Sequence, residues 1–167
     1  MAWPHPITII GLLGGGIAAF GMAALLDEFN SKAPLPSDQF LAQTIGDGNP
    51  YDHDVSGVLL YLFYGAFVGA LFPTFFHGLL GLDGKFITTV PNTLATGLAF
   101  GILLLVPWAL LGAAGFVTLP ELSLSRDGPN KEHTLVSIVA AHLFYGLILG
   151  IITGLSEPVW YVLPNLL

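Results

Sequence analysis

At 167 residues, with 54% hydrophobic and 9% charged side chains, the chain is too apolar for a soluble globule, in which about 25% of residues are charged. A net charge of -7, carried by the loops and ends, cannot favour binding to nucleic acid, and the lack of cysteine excludes disulfides, thiolate metal sites and thiol chemistry. Charges are absent from Met1 to Leu26, Val55 to Leu82, Phe86 to Pro120 and Thr134 to Ser156, and each interval can supply the ~20 apolar residues that cross a bilayer.

The first predicted span runs from Ile7 to Leu26. It lacks the basic start and the small-residue cleavage site of a signal peptide, so it reads as a mature helix. Trp3 and His5 stand where an interfacial belt would lie, and Gly11, Gly14, Gly15, Gly16 and Gly21 would let a neighbouring backbone come close. The acidic loop from Asp27 to Asp54 contains Pro34, Pro36 and Pro50. Within it, Ser37 is placed to cap a short amphipathic turn carrying Phe40, Leu41 and Ile45 on the membrane surface.

The second span covers Val55 to Leu80 and should kink at Pro73, which cannot donate to the helical ladder. The third covers Thr93 to Phe116, with a second kink at Pro107-Trp108. The fourth covers Thr134 to Leu155 and exits through Glu157, Pro158, Trp160 and Tyr161. Asp54 and Thr134 are placed to cap the second and fourth spans. Lys32, Arg126 and Lys131 on the two longer loops, against Lys85 on the short one, lean weakly toward a cytoplasmic side for the long loops.

One stretch occurs twice. Asp47-Gly48-Asn49-Pro50, Asp52-His53, Val55-Ser56 and Tyr61-Leu62-Phe63-Tyr64-Gly65 match Asp127-Gly128-Pro129-Asn130, Glu132-His133, Val136-Ser137 and His142-Leu143-Phe144-Tyr145-Gly146. The pattern reads as an internal duplication, with repeats at about 1–80 and 85–167. The expected fold is therefore all-α: one polytopic domain over 1–167, with four transmembrane helices built as two tandem hairpins. A pseudo-two-fold axis would run along the membrane normal. Gly11 and Gly15 echo Gly97 and Gly101 between the first helices of the two repeats.

Three groups of residues stand out. Gly65 and Gly69 follow Tyr61 at four-residue spacing, and Gly146, Gly150 and Gly154 follow His142 in the same way, so each series lines one helix face and is expected to pack helices. The same fourth helix is expected to show Leu147, Leu149, Ile151 and Ile152 to lipid or a partner. The pairs Asp52-His53 and Glu132-His133 open two helices on one side, where a divalent metal such as zinc is a lesser expectation. The plainer account of these pairs is that acidic groups complement the positive helix ends.

Tyr61, Tyr64, His142 and Tyr145 form the third group, a polar intramembrane site sized for a water or a quinone headgroup. Tyr61 is expected to donate to the His142 imidazole if the two glycine faces meet. A haem shared by His77 and His142 within one chain is ruled out by depth. At ~1.5 Å per residue, His77 lies ~33 Å from the face where its helix begins and His142 only ~9 Å.

With no Asp, Glu, Lys or Arg in a helix core, a self-sufficient ion pump is not expected. The reading that follows is a multi-pass, non-catalytic subunit or scaffold of the cell membrane, requiring no cofactor. It would contact membrane lipids and assemble as a homo-oligomer or within a larger complex, a respiratory one among the options. A duplicated-hairpin transporter or channel, supported by Asn92, Thr93, Thr96 and Thr153, is the rival class. A quinone- or haem-associated redox protein is the third.

Overall fold

The computed structural model describes residues 6–29, 33–45, 48–79, 89–118, 134–156 and 159. Trp3, His5, the charged Lys32, Lys85, Arg126 and Lys131, the Glu132-His133 pair, and the exit residues Glu157, Pro158, Trp160 and Tyr161 lie outside them. The helices are α1 (Pro6–Phe29), α2 (Pro36–Thr44), α3 (Asp54–Pro73), α4 (Val90–Leu103), α5 (Leu105–Ala113) and α6 (Leu135–Leu155). Among the described residues four stretches are long and apolar enough to cross a membrane: Pro6–Phe29, Val55–Phe76, Val90–Ala113 and Leu135–Leu155. That is the pattern of a multi-pass membrane protein.

Prolines divide two of these stretches. Pro73 ends α3, and the chain continues as a π-helix over Thr74–Leu79. Pro73 has no N–H for the Gly69 carbonyl, and the change of pitch follows directly after it. Pro107 cannot donate to the Leu103 carbonyl, so the third stretch breaks into α4 and α5 at Leu104, one turn ahead of the expected kink. α5 also stops sooner than predicted. Gly115 takes φ +81, its N–H reaches the Gly112 carbonyl at 3.0 Å, and Phe116 N–H reaches the Leu111 carbonyl at 3.0 Å. This left-handed closure ends the helix at Ala113, not Phe116.

The caps are mixed. Thr134 accepts from Ser137 N–H at 3.2 Å, as its place before α6 predicts. The N-cap of α3 is His53, not Asp54, and no side chain caps it. In α2 the expected cap Ser37 lies inside the helix. Leu35 is the N-cap, Pro36 takes the first position, and the Asp38 carboxylate accepts from Leu35 N–H at 2.8 Å. Asp38 also fills the space that a β-carbon on Gly57 would need, which seats α2 against the first turns of α3. From its other side, Gln39 Oε1 accepts from Thr118 N–H at 2.7 Å, and Phe40 meets Phe116 at 5.6 Å between ring centroids.

Packing is extensive between α1 and α3, between α4 and α6, and between α1 and α6. Where α1 crosses α3, a β-carbon on Gly65 would meet Ala19 and the Gly15 carbonyl, and one on Gly69 would meet the Gly11 carbonyl. Where α4 crosses α6, β-carbons on Gly146 and Gly150 would strike the carbonyls of Gly97 and Thr93, and one on Gly154 would strike Thr93 and Val90. The glycines of α3 therefore look at α1 and those of α6 at α4, and the two sets do not face each other.

α6 uses its opposite side against α1, with Leu149 and Ile152 beside Gly14, and Phe144 and Ile148 beside Gly21. Leu149, expected at the surface, is consequently fully buried. α3 and α4 are held apart by aromatic rings instead. Phe72, Phe75 and Phe76 surround Phe100 with centroid distances of 5.3, 5.9 and 6.1 Å.

Candidate functional site

Tyr61 and Tyr64 lie three residues apart on α3, and His142 and Tyr145 lie three apart on α6, so each pair shares a helix face. Tyr61 and His142 each stand seven residues into their helix, roughly 10 Å deep at the α-helical rise. All four line one cavity of about 330 Å³. Ala19 and Met22 of α1, Pro36, Ser37 and Phe40 of α2, and Leu104, Trp108 and Leu111 of the broken α4–α5 stretch complete most of its wall. Among the described residues no acidic side chain, lysine or arginine lines it; the polar groups are three phenols, one serine hydroxyl, one imidazole and the indole N–H of Trp108.

The hydrogen bonds here divide the four residues. Tyr145, 2% exposed, donates to the Gly65 carbonyl at 2.7 Å, which fastens α6 to α3 across the two hairpins. His142 Nδ1 lies 2.8 Å from the Ile138 carbonyl of its own helix. A carbonyl can only accept, so Nδ1 carries a proton, and in the neutral ring Nε2 is then the unprotonated nitrogen. Tyr61 does not make the bond to His142 expected of it. Its hydroxyl is buried with no partner, and so is the hydroxyl of Ser37. The Nδ1 bond to Ile138 explains half of this, because it turns the ring toward its own backbone.

An unsatisfied buried hydroxyl costs about 1–3 kcal/mol. Two of them facing one cavity are therefore unusual, and they mark what the site lacks. Tyr64 at 45% and Leu111 at 37% exposure line the cavity and also reach the surface, so the mouth lies between α3 and α5.

The other singled-out residues are placed differently. Asp52 and His53 sit on a 3-10 turn, Pro50–His53, that leads into α3. Glu132 and His133 lie outside the described residues, among which no group of three or more metal-ligating side chains gathers. Thr93, Thr96 and Thr153 turn their hydroxyls back to carbonyls of their own helices, Asn92 among the acceptors, and none of them lines the cavity. His77 belongs to the π-helical segment at the far end of α3.

The contribution of α2 was not foreseen. Ser37 was read only as a cap and Phe40 only as a membrane-surface residue, although an apolar residue three positions after a buried serine does describe one helix face.

Fold and site together define a class, a four-span helical membrane protein with an uncharged cavity between its helices. No family model matches the chain, and no curated protein or solved structure resembles it.

Proposed function

We propose that this protein is a small, non-catalytic, multi-pass subunit of the cell membrane that holds an amphiphilic small molecule between its helices. The observation that carries this reading is the unpartnered, buried Tyr61 hydroxyl on a 330 Å³ cavity, a volume within the range of small-molecule sites. A bound molecule with an oxygen near the Tyr61 ring would supply the missing partner. The apolar wall suits the rest of such a molecule.

The scaffold for this site is, on our reading, a duplicated hairpin fastened by glycine faces. The support is a parallel in the contacts. Gly65 opposes Gly15 and Ala19, as Gly146 opposes Gly97 and Gly101; Gly69 opposes Gly11, as Gly150 opposes Thr93. These contacts equate Gly15 with Gly97, one helical turn away from the pairing of Gly11 with Gly97 that the sequence echo offered. Because these glycines are buried inside the chain, assembly with other subunits would use lipid-level faces such as Phe20, Phe63 and Phe67. The threonines that favoured a transporter are satisfied by their own backbones.

Native mass spectrometry of protein released in mild detergent tests both halves. The expected spectrum shows an oligomer or a co-purifying partner, with a neutral adduct of a few hundred daltons. That adduct should disappear when Leu111→Trp closes the mouth. A bare monomer, free of adduct and partner, would overturn the proposal.

A further inference from the structure

We infer that the cavity selects the reduced, hydroxyl-bearing form of a neutral ring with an apolar tail, a hydroquinone, over the oxidised dicarbonyl form. This inference rests on the ligand-holding reading above and adds to it the chemical class and the preferred form. Three groups carry it: His142 Nε2, the Tyr61 hydroxyl and the Ser37 hydroxyl, on residues 7, 9 and 7% exposed. Neither hydroxyl has a protein partner, and the imidazole's own bond uses only Nδ1.

Their donor and acceptor roles are unequal. A hydroxyl can donate or accept, so Tyr61 and Ser37 can serve either a carbonyl or an O–H group. Nε2 can only accept, because the proton is on Nδ1. A hydroquinone gives one O–H to Nε2, and its second oxygen takes a hydrogen bond from Tyr61 or Ser37. A quinone has only acceptors, so it leaves Nε2 without a donor, and a carbonyl set beside Nε2 would face its lone pair. Moving the proton to Nε2 would repair that contact only by breaking the 2.8 Å bond to the Ile138 carbonyl.

Size and charge narrow the class further. A cavity of about 150 Å³ is known to take a benzene ring. The 330 Å³ here fits a substituted ring and the first atoms of a tail. Phe40, Tyr64 and Trp108 bring aromatic rings to the wall, and no cation lines it among the described residues. Tyr64, at the mouth, stands ten residues into α3, about 15 Å deep, where a tail leaves directly into hydrocarbon.

The test is a competition. Full-length protein in nanodiscs is incubated anaerobically with equal amounts of decylubiquinol and decylubiquinone. Empty nanodiscs serve as the partition blank, and the protein-bound fraction is gel-filtered, extracted and quantified. The wild type should retain about tenfold more quinol than quinone. His142→Phe should bring that ratio to about one while still retaining ligand. Tyr61→Phe should cut retention of both forms about fivefold, as expected for one lost hydrogen bond.

Farnesol, a tail with an alcohol but no ring, should compete at least tenfold more weakly than the quinol. If His142→Phe does not elute as the folded species, His142→Gln replaces it, because an amide serves both ligand forms and should also level the ratio. Equal retention of both forms by the wild type, a ratio untouched by either His142 variant, or equal competition by farnesol would overturn the inference while leaving a ligand site standing. Retention no greater than the blank for every probe, with water alone in the cavity, would overturn the ligand-holding reading as well.

Discussion

The packed pair α1 and α3 and the packed pair α4 and α6 meet along two edges, and the edges differ. At α1 and α6 the helices pack closely, because Gly14 and Gly21 leave room for Leu149, Ile152, Ile148 and Phe144 to lie against the α1 backbone. At α3 and α4–α5 phenylalanine rings stand between the helices at one end, and the cavity fills the space at the other. A strict two-fold arrangement would make the edges alike. Residue size at the crossing decides the difference: glycine sets backbones in contact, whereas a cluster around Phe100 keeps them a ring's width apart. The open edge is where the chain has space for something other than itself.

The comparison can be broken most severely inside a hairpin. Gly146→Leu should drive α4 from α6 and cost at least about 3 kcal/mol, at the upper end of overpacking effects, because the obstacle is the Gly97 backbone. Gly16→Ala, whose β-carbon would meet only Ala66 at 3.8 Å, should stay within about 0.5 kcal/mol. Thermal unfolding in detergent, followed by circular dichroism, ranks the two, and equal tolerance would mean the crossing is not tight. Gly115, beyond the end of α5, makes a poor control despite its open surroundings, since φ +81 would strain any larger residue.

Phe100→Ala attacks the open edge. Removing a nearly buried ring should cost about 3 kcal/mol, and the loss should be partly recovered by Phe100→Leu. A loss below about 1 kcal/mol would mean that the phenylalanine cluster does not set the spacing of α3 and α4.

Smaller effects sharpen the same comparison at the two tyrosines. Tyr145→Phe removes the bond to the Gly65 carbonyl and should lower stability by about 1 kcal/mol. Tyr61→Phe removes a hydroxyl with no partner, so in ligand-free protein it should be neutral or stabilising by up to about 1 kcal/mol. Hydrogen exchange of the α3 amides reads both variants, and equal destabilisation would place an unrecognised partner on Tyr61.

The spans were legible because a bilayer asks for about twenty apolar residues and the charges bracket such runs cleanly. The shared register and depth of Tyr61, Tyr64, His142 and Tyr145 were legible, but the meeting of two glycine faces that was expected to join them is not what brings them to one cavity. What escaped was everything decided by a neighbour. The partner of each glycine face depended on which helices share a hairpin. The place of Ser37 and Phe40 on the cavity depended on Asp38 settling against Gly57 and on Gln39 reaching Thr118, 79 residues away. The missing Tyr61–His142 bond depended on an imidazole choosing its own backbone.

The break at Leu104 has a mechanical side. Leu104 itself, then Trp108 and Leu111 beyond it, line the cavity, and each lies within about one helical turn of Pro107. The proline is not among the lining residues, yet the boundary that its missing N–H sets between α4 and α5 falls on the wall itself. Pro107→Ala would restore the N–H that the Leu103 carbonyl lacks and let α4 run into α5 as one helix.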